Sequence, residues 1–288
     1  SAPFVVAQYQ PDAFEVSLDI PSEIPAGSPP PQATVGGRYF FGGGLTDADV
    51  RWTLRYFRAP FAPDGFDAFE FIGGDDDEEA KPLTLRGDGR IAAGRPLAIA
   101  PVVPKAELSP FRGILTAEVT DISQQTVSRK AEFTREASDF YLGVARPDEN
   151  VVRKGDEVPL QVVAVRPDAQ PLDRPVEISV SVNLRRYNVV RVLGAGGAMT
   201  FRRDLVEEPL LEQKAQTVIP AKSDGKWSAG DAASLRFKTT AVGLHNVRVT
   251  ARDAGGREVS TESSFYVSGE GEPGWDYRNP SEITLVPD

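Results

Sequence analysis

The sequence predicts an all-β chain of tandem antiparallel β-sandwiches of fibronectin or immunoglobulin-like type, and three observations carry that expectation. Short runs rich in Val, Phe, Tyr and Thr alternate apolar and polar residues, as strands do when one face meets a core and the other meets water. Glycine and proline, 26 and 24 of them in 288 residues, separate those runs, and no helical heptad interrupts the pattern. A β-hairpin also occurs twice. One copy runs from Gly113-Ile114-Leu115-Thr116-Ala117-Glu118-Val119-Thr120-Asp121 through Val127-Ser128 to Phe133; the other runs from Gly243-Leu244-His245-Asn246-Val247-Arg248-Val249-Thr250 through Val259-Ser260 to Phe265. The copies keep the interval from Gly to Val-Thr and from Val-Ser to Phe, and are expected to differ only in the length of the turn. A long amphipathic hairpin cannot stand alone in water, so each copy must close a larger sheet structure. A duplicated closing hairpin predicts two domains.

In chain order, Phe4 to Tyr9 is an apolar lead-in and Ala13-Phe14-Glu15-Val16-Ser17-Leu18 alternates like a first strand. The proline-rich crossing from Pro21 to Pro31 cannot pair in a sheet centre. Two strong strands follow, Thr34 to Gly42 and Val50-Arg51-Trp52-Thr53-Leu54-Arg55-Tyr56-Phe57, with Trp52, Leu54 and Tyr56 facing together. Pro82-Leu83-Thr84-Leu85 and Leu97-Ala98-Ile99-Ala100 read as shorter strands, with Arg86-Gly87-Asp88-Gly89-Arg90 as a loop between them. The first repeated hairpin closes this domain, expected over 1–138.

The second domain, expected over 139–269, opens with Phe140-Tyr141-Leu142-Gly143-Val144 and then Lys154-Gly155-Asp156 leading into a Val-rich strand. Val176-Glu177-Ile178-Ser179-Val180-Ser181-Val182 alternates strictly and continues through Tyr187 to Val192, where Gly194-Ala195-Gly196-Gly197 interrupts it. Residues 270–288 read as a charged linker and the first strand of a following domain, because Val286-Pro287-Asp288 repeats the Pro147-Asp148 with which the second domain began. The expected parent is a tandem array.

Composition excludes several functions. The net charge of −10 disfavours a phosphate-backbone partner, so no nucleic acid is expected. No run approaches 18 apolar residues, and the first residues carry no basic region with an apolar stretch behind it. The chain has no cysteine, which removes disulfides, thiolate zinc sites and cysteine nucleophiles from it.

Against that background, Lys154-Gly155-Asp156, the mid-domain strand Asp49-Val50-Arg51-Trp52 and the closing hairpins resemble the macroglobulin-like domains of bacterial alpha-2-macroglobulins. So do Asn188-Val189-Val190-Arg191-Val192 with the glycines after it, and the exit Trp275-Asp276-Tyr277 leading to Ile283-Thr284-Leu285-Val286-Pro287-Asp288. The resemblance implies a scaffold segment of a large periplasmic or cell-envelope inhibitor that entraps proteases. In that family a protease cuts a bait segment, the molecule collapses, and in many members a thioester in a Cys-containing motif links to the attacker. The thioester cannot lie in this chain, and no bait segment is recognised in it. The implied partners are neighbouring macroglobulin domains of the same parent chain and, through the parent, proteases; a membrane enters only through a lipid anchor outside this segment. The alternative reading is a cell-surface adhesion or carbohydrate-binding array of the same sandwiches.

No catalytic, cofactor or metal site is expected. The acidic run Asp75-Asp76-Asp77-Glu78-Glu79 offers oxygens to Ca²⁺ but lacks spaced ligands, and consecutive carboxylates ordinarily repel and stay solvated. His245 is the single histidine, with no nucleophile elbow and no second histidine, and reads as an edge or partly exposed strand residue. The glycines at 194–197 lack a helix behind them to bind phosphate. Trp52, Tyr56, Phe57 and Trp227 are the candidates for a sugar-stacking platform, with Trp52 better read as core and Trp227 as exposed. Trp275 and Tyr277 read as anchors for a neighbouring domain.

Overall fold

A computed structural model describes residues 12–72, 82–100, 109–145, 151–193 and 199–270, without the side chains of residue 151 or those of 187–193 and 199–204. These residues form strands and no helix, so the fold is all-β. The first nine strands are β1 (Phe14–Asp19), β2 (Glu23–Ile24), β3 (Ala33–Tyr39), β4 (Asp47–Arg58), β5 (Phe69–Glu70), β6 (Leu83–Ala92), β7 (Leu97–Ile99), β8 (Phe111–Asp121) and β9 (Thr126–Arg135). The others are β10 (Tyr141–Ala145), β11 (Val151–Arg153), β12 (Glu157–Leu160), β13 (Val162–Val165), β14 (Glu177–Leu193), β15 (Met199–Gln216), β16 (Ala221–Ser223), β17 (Lys226–Ser228), β18 (Leu235–Lys238), β19 (Gly243–Arg252) and β20 (Glu258–Ser268).

The chain divides into two compact units, neither of them continuous. One comprises Ser1–Ala62, Ile72–Phe140 and Arg252–Val259, the other Pro63–Phe71, Tyr141–Ala251 and Ser260–Asp288. Each contains a five-stranded sheet, ordered β2-β9-β8-β4-β6 in one and β11-β20-β19-β14-β15 in the other, and these orders are the same topology. In both, the short second strand runs parallel to the end of the closing hairpin, Glu23 and Ile24 beside Thr134 and Arg135, Val151 and Val152 beside Tyr266 and Val267. Facing sheets supply the other wall of each core. In the first, β3 pairs with both β1 and β7; in the second that work is divided, β13 pairing with β10 and β12 with β18. The break falls at Gln161, whose Nε2 donates to the carbonyls of Gly230 (2.7 Å) and Ala232 (2.9 Å).

Alternation in the sequence is what fills these cores. Val50, Leu54 and Tyr56 of β4 point inward with Leu115, Ala117 and Val119 of β8, and Ile178, Val180, Val182 and Leu184 of β14 do the same in the second unit. Trp52 lies on the same face as Leu54, half-buried against that core.

Two expectations are corrected. The stretch from Arg86 to Arg90 is strand, not loop: β6 pairs with β4 without a break from Tyr56 opposite Leu83 to Asp47 opposite Ala92. Its glycines answer to sterics rather than to a turn, since a Cβ at Gly87 would sit 2.3 Å from the Trp52 ring and one at Gly89 2.5 Å from Leu97. The two hairpin turns are also equal in length. Asp121 N–H donates to Gln125 O and Gln124 N–H to Asp121 O, while Asp253 N–H donates to Arg257 O and Gly256 N–H to Asp253 O. The extra residues of the second copy lie in its first arm, before Asp253. Aligned on the turn aspartates, Gly113 corresponds to His245 and not to Gly243.

Candidate functional site

The described structure brings no catalytic set together; what it builds twice is a clasp at the hairpin turn. In the first, Asp121 opens a five-residue turn whose fourth residue, Gln124, is left-handed at φ 65°. Asp121 Oδ1 accepts Ser123 N–H (2.9 Å), Ser123 Oγ–H (2.7 Å) and Gln125 N–H (3.0 Å), so the carboxylate takes the place of strand partners the turn cannot have. Burial alone would raise its pKa, but the hydrogen bonds from Ser123, Gln125 and Tyr39 outweigh that and hold it below the ordinary carboxylate value. The fifth residue reaches outward: Gln125 Oε1 accepts Ala13 N–H (2.9 Å), one residue before β1.

The second turn repeats this chemistry with a charge. Gly256 is its left-handed residue at φ 74°, and Asp253 Oδ1 accepts Gly255 N–H and Arg257 N–H, both at 2.9 Å. Asp253 Oδ2 takes Arg257 Nε (2.7 Å) and Asp139 N–H (3.2 Å), and Arg257 Nη2 donates to Asp139 Oδ1 (2.6 Å). Asp139 stands two residues before β10, so each turn holds the chain that leads into its own first strand. Arg257 also lies against Gly27, where a Cβ would come within 2.5 Å of its guanidinium. Sequence reasoning missed Gln125, Asp139 and Arg257. The usable signal was the aspartate opening both turns.

The other candidates fall elsewhere. His245 is fully buried, not at an edge, because β19 lies between β20 and β14. Its ring stacks on Phe265 (5.2 Å between centroids) and tilts against Phe237 (5.9 Å). Nδ1–H donates to Gly243 O (3.0 Å), Nε2 is buried with no partner among the described residues, and burial lowers its pKa. Among the described residues no carboxylate hydrogen-bonds to it.

Trp227 is half-buried, stacked on Phe66 (5.6 Å), with Lys222 Nζ 5.3 Å from its ring centroid and its backbone N–H donating to Gly65 O (2.7 Å). Phe66 belongs to the segment Pro63–Phe71 of the second unit, which also adds β5 to the edge of β10 and sets Phe71 over Gly143. Trp52 and Tyr56 pack with the core of the first unit. A groove of 690 Å³ along β1 is lined by Glu15, Ser17, Arg38, Phe40 and Arg129 among others, and there Arg38 Nη2 donates to Glu15 Oε1 (2.9 Å). Among the described residues no group of three or more His, Asp or Glu side chains is placed to hold a metal ion. Residues 75–79 and 194–197, Trp275 and Tyr277 lie outside the described residues.

Two sandwiches of one topology, each with a clasped closing hairpin, define the class: a tandem β-sandwich array. No protein-family model matches the sequence, and no curated protein matches it. Solved structures do. The native form of E. coli alpha-2-macroglobulin is similar at a TM-score of 0.57 and 16% identity, over 91% of this chain and 16% of that one. Salmonella alpha-2-macroglobulin reacted with methylamine gives 0.53 and 15%, over 91% and 17%. E. coli alpha-2-macroglobulin activated by porcine elastase gives 0.54 and 15%, over 91% and 22%. The fold is therefore macroglobulin-like, and the chain spans less than a quarter of the length of these neighbours.

Proposed function

We propose that this chain is a non-enzymatic scaffold segment of a bacterial alpha-2-macroglobulin-like inhibitor whose parent entraps proteases in the periplasm or at the cell envelope. In this reading 1–138 and 139–269 are successive macroglobulin-like sandwiches, the first lending Pro63–Phe71 to the second, and 270–288 lead into the next. The observation that carries it is that the structural likeness runs through both sandwiches together, over 91% of the chain, rather than through one sandwich alone. The clasps fit the role, since a scaffold that transmits a conformational collapse needs each sandwich fixed to the chain entering it. The covered face of Trp227 and the core packing of Trp52 and Tyr56 give the carbohydrate-binding alternative no support.

The test has two arms. Incubated with several unrelated proteases, the chain alone is expected to leave them fully active on a small peptide and to retain none on gel filtration. The full parent polypeptide is expected to leave small-peptide cleavage intact while blocking cleavage of a large protein substrate. A protease held by the chain alone would replace the scaffold reading with a trap located here, and a parent that shields nothing would end the inhibitor reading.

A further inference from the structure

We infer that the groove along β1 is a peptide-binding site, which takes an extended segment bearing a carboxylate side chain as an added antiparallel strand. The inference goes beyond the scaffold reading and does not depend on it.

The second unit shows what such a groove holds. There β5, from the segment Pro63–Phe71, lies against the edge of β10, with Val144 opposite Glu70 and Ala145 opposite Phe69. Ala145 N–H donates to Gln161 O on the β13 side, so by strand alternation the N–H and C=O of Val144 face β5. On the other wall, β20, Ser263 Oγ donates to Glu70, and Thr261 and Ser263 are only 1% and 8% exposed.

The first unit has the same walls without the strand. Matched at the residues whose N–H groups the two turns hold, Ala13 and Asp139, Leu18 and Asp19 of β1 correspond to Val144 and Ala145. Matched at the turn aspartates, Arg129 and Ala131 of β9 correspond to Thr261 and Ser263. β1 is an edge strand, and Ala13 O accepts Phe40 N–H on the β3 side. Alternation therefore turns the N–H and C=O of Phe14, Val16 and Leu18 away from β3, and no described strand pairs with them there. Between that edge and Val127, Ser128 and Arg129 runs the groove of 690 Å³.

Arg129 gives the occupant its charge. It alternates with Val127, Ala131 and the buried Phe133, on the face that points to the core, yet it is exposed and has no ion pair among the described residues. Arg38, the other described cation of the groove, is already taken by Glu15. An acidic side chain entering as Glu70 enters the second unit would meet Arg129 instead of a serine. Strand addition then supplies affinity through backbone hydrogen bonds and selectivity through that side chain.

The probe is a synthetic peptide with the sequence of Pro63–Phe71, capped at both ends and added to the intact chain. Amide hydrogen exchange of Val16 and Leu18 is expected to slow at least about tenfold at saturation, with residues 141–145 unchanged. Glu70→Pro in the peptide removes the N–H that the edge requires and is expected to weaken binding at least about tenfold. Arg129→Glu in the chain is expected to weaken the original peptide about tenfold and to be rescued by the peptide carrying Glu70→Lys. No slowing at Val16 and Leu18 overturns the inference and makes Arg129 a charge that keeps strands off an open edge. Slowing over 141–145 overturns it too, since the peptide would then be displacing β5. So does binding that survives either the proline or Arg129→Glu.

Discussion

At the scale of single residues, His245 is the side chain whose chemistry is most constrained. Between about pH 5 and 7 a histidine is the side chain expected to titrate, and this chain has one. Its folded pKa lies below the ordinary 6.5, so the unfolded chain takes up the proton first. Stability is then full above about pH 6.5 and falls as pH drops below it. Urea unfolding is expected to show a lower midpoint near pH 5.5 than near pH 7.5, and His245→Phe, which keeps the stack on Phe265, is expected to remove most of that difference. An equal difference in the variant would place the titration elsewhere. Gly87 is constrained by shape instead: Gly87→Ala pushes a methyl into the Trp52 ring and is expected to cost about 1–3 kcal/mol, read by urea unfolding followed through tryptophan fluorescence. Neither role was legible in the sequence. Gly87 and Gly89 read as loop because glycine marks turns more often than it marks a large side chain packed over a strand, and His245 read as exposed because polar residues on hairpin arms ordinarily are.

At the scale of the element, the hairpin itself was legible in both copies, since strand alternation is local and repeats with it. What misled was the anchor. Matching Gly113 to Gly243 assigned the difference in length to the turn, whereas the hydrogen bonds of Asp121 and Asp253 fix two equal turns and place the difference in the arm. Those bonds carry a prediction. Asp121→Ala leaves the amides of the exposed Ser123 and the half-buried Gln125 without their charged acceptor and is expected to destabilise the first unit by about 1–3 kcal/mol. Asp121→Asn, which keeps one carbonyl oxygen in place, is expected to lose less. The folded carboxyl titrates below its ordinary value, so this contribution is present above about pH 4 and is lost as pH falls below it. Thermal unfolding of the two variants near pH 7 checks the order, and a variant pair of equal stability would mean the turn is held by its backbone alone.

At the scale of the whole molecule, the class and the duplication were legible, because the sheet order β2-β9-β8-β4-β6 returns as β11-β20-β19-β14-β15 and its strands carry the same alternation. The membership of Pro63–Phe71 was not. Its residues follow β4 of the first unit without a break, and only three-dimensional packing assigns them to the second, where Phe66 is 2% exposed between Trp227, Phe69 and Phe71 and Ser263 Oγ donates to Glu70. A chain cut at 138 would therefore leave the second sandwich without a strand on the edge of β10 and with the Trp227 ring uncovered. Phe66→Ala in the intact chain tests that dependence directly. Truncating a buried phenylalanine costs about 3–5 kcal/mol, and the loss is expected to fall on the unit that holds the ring rather than on the one that precedes it in sequence. Hydrogen exchange read by peptide should accelerate over β10, β13 and β17 and stay unchanged over β4 and β8. Acceleration confined to β4 and β8 would mean that the segment stabilises the sandwich it follows, and the division of the chain would have to be redrawn at residue 138.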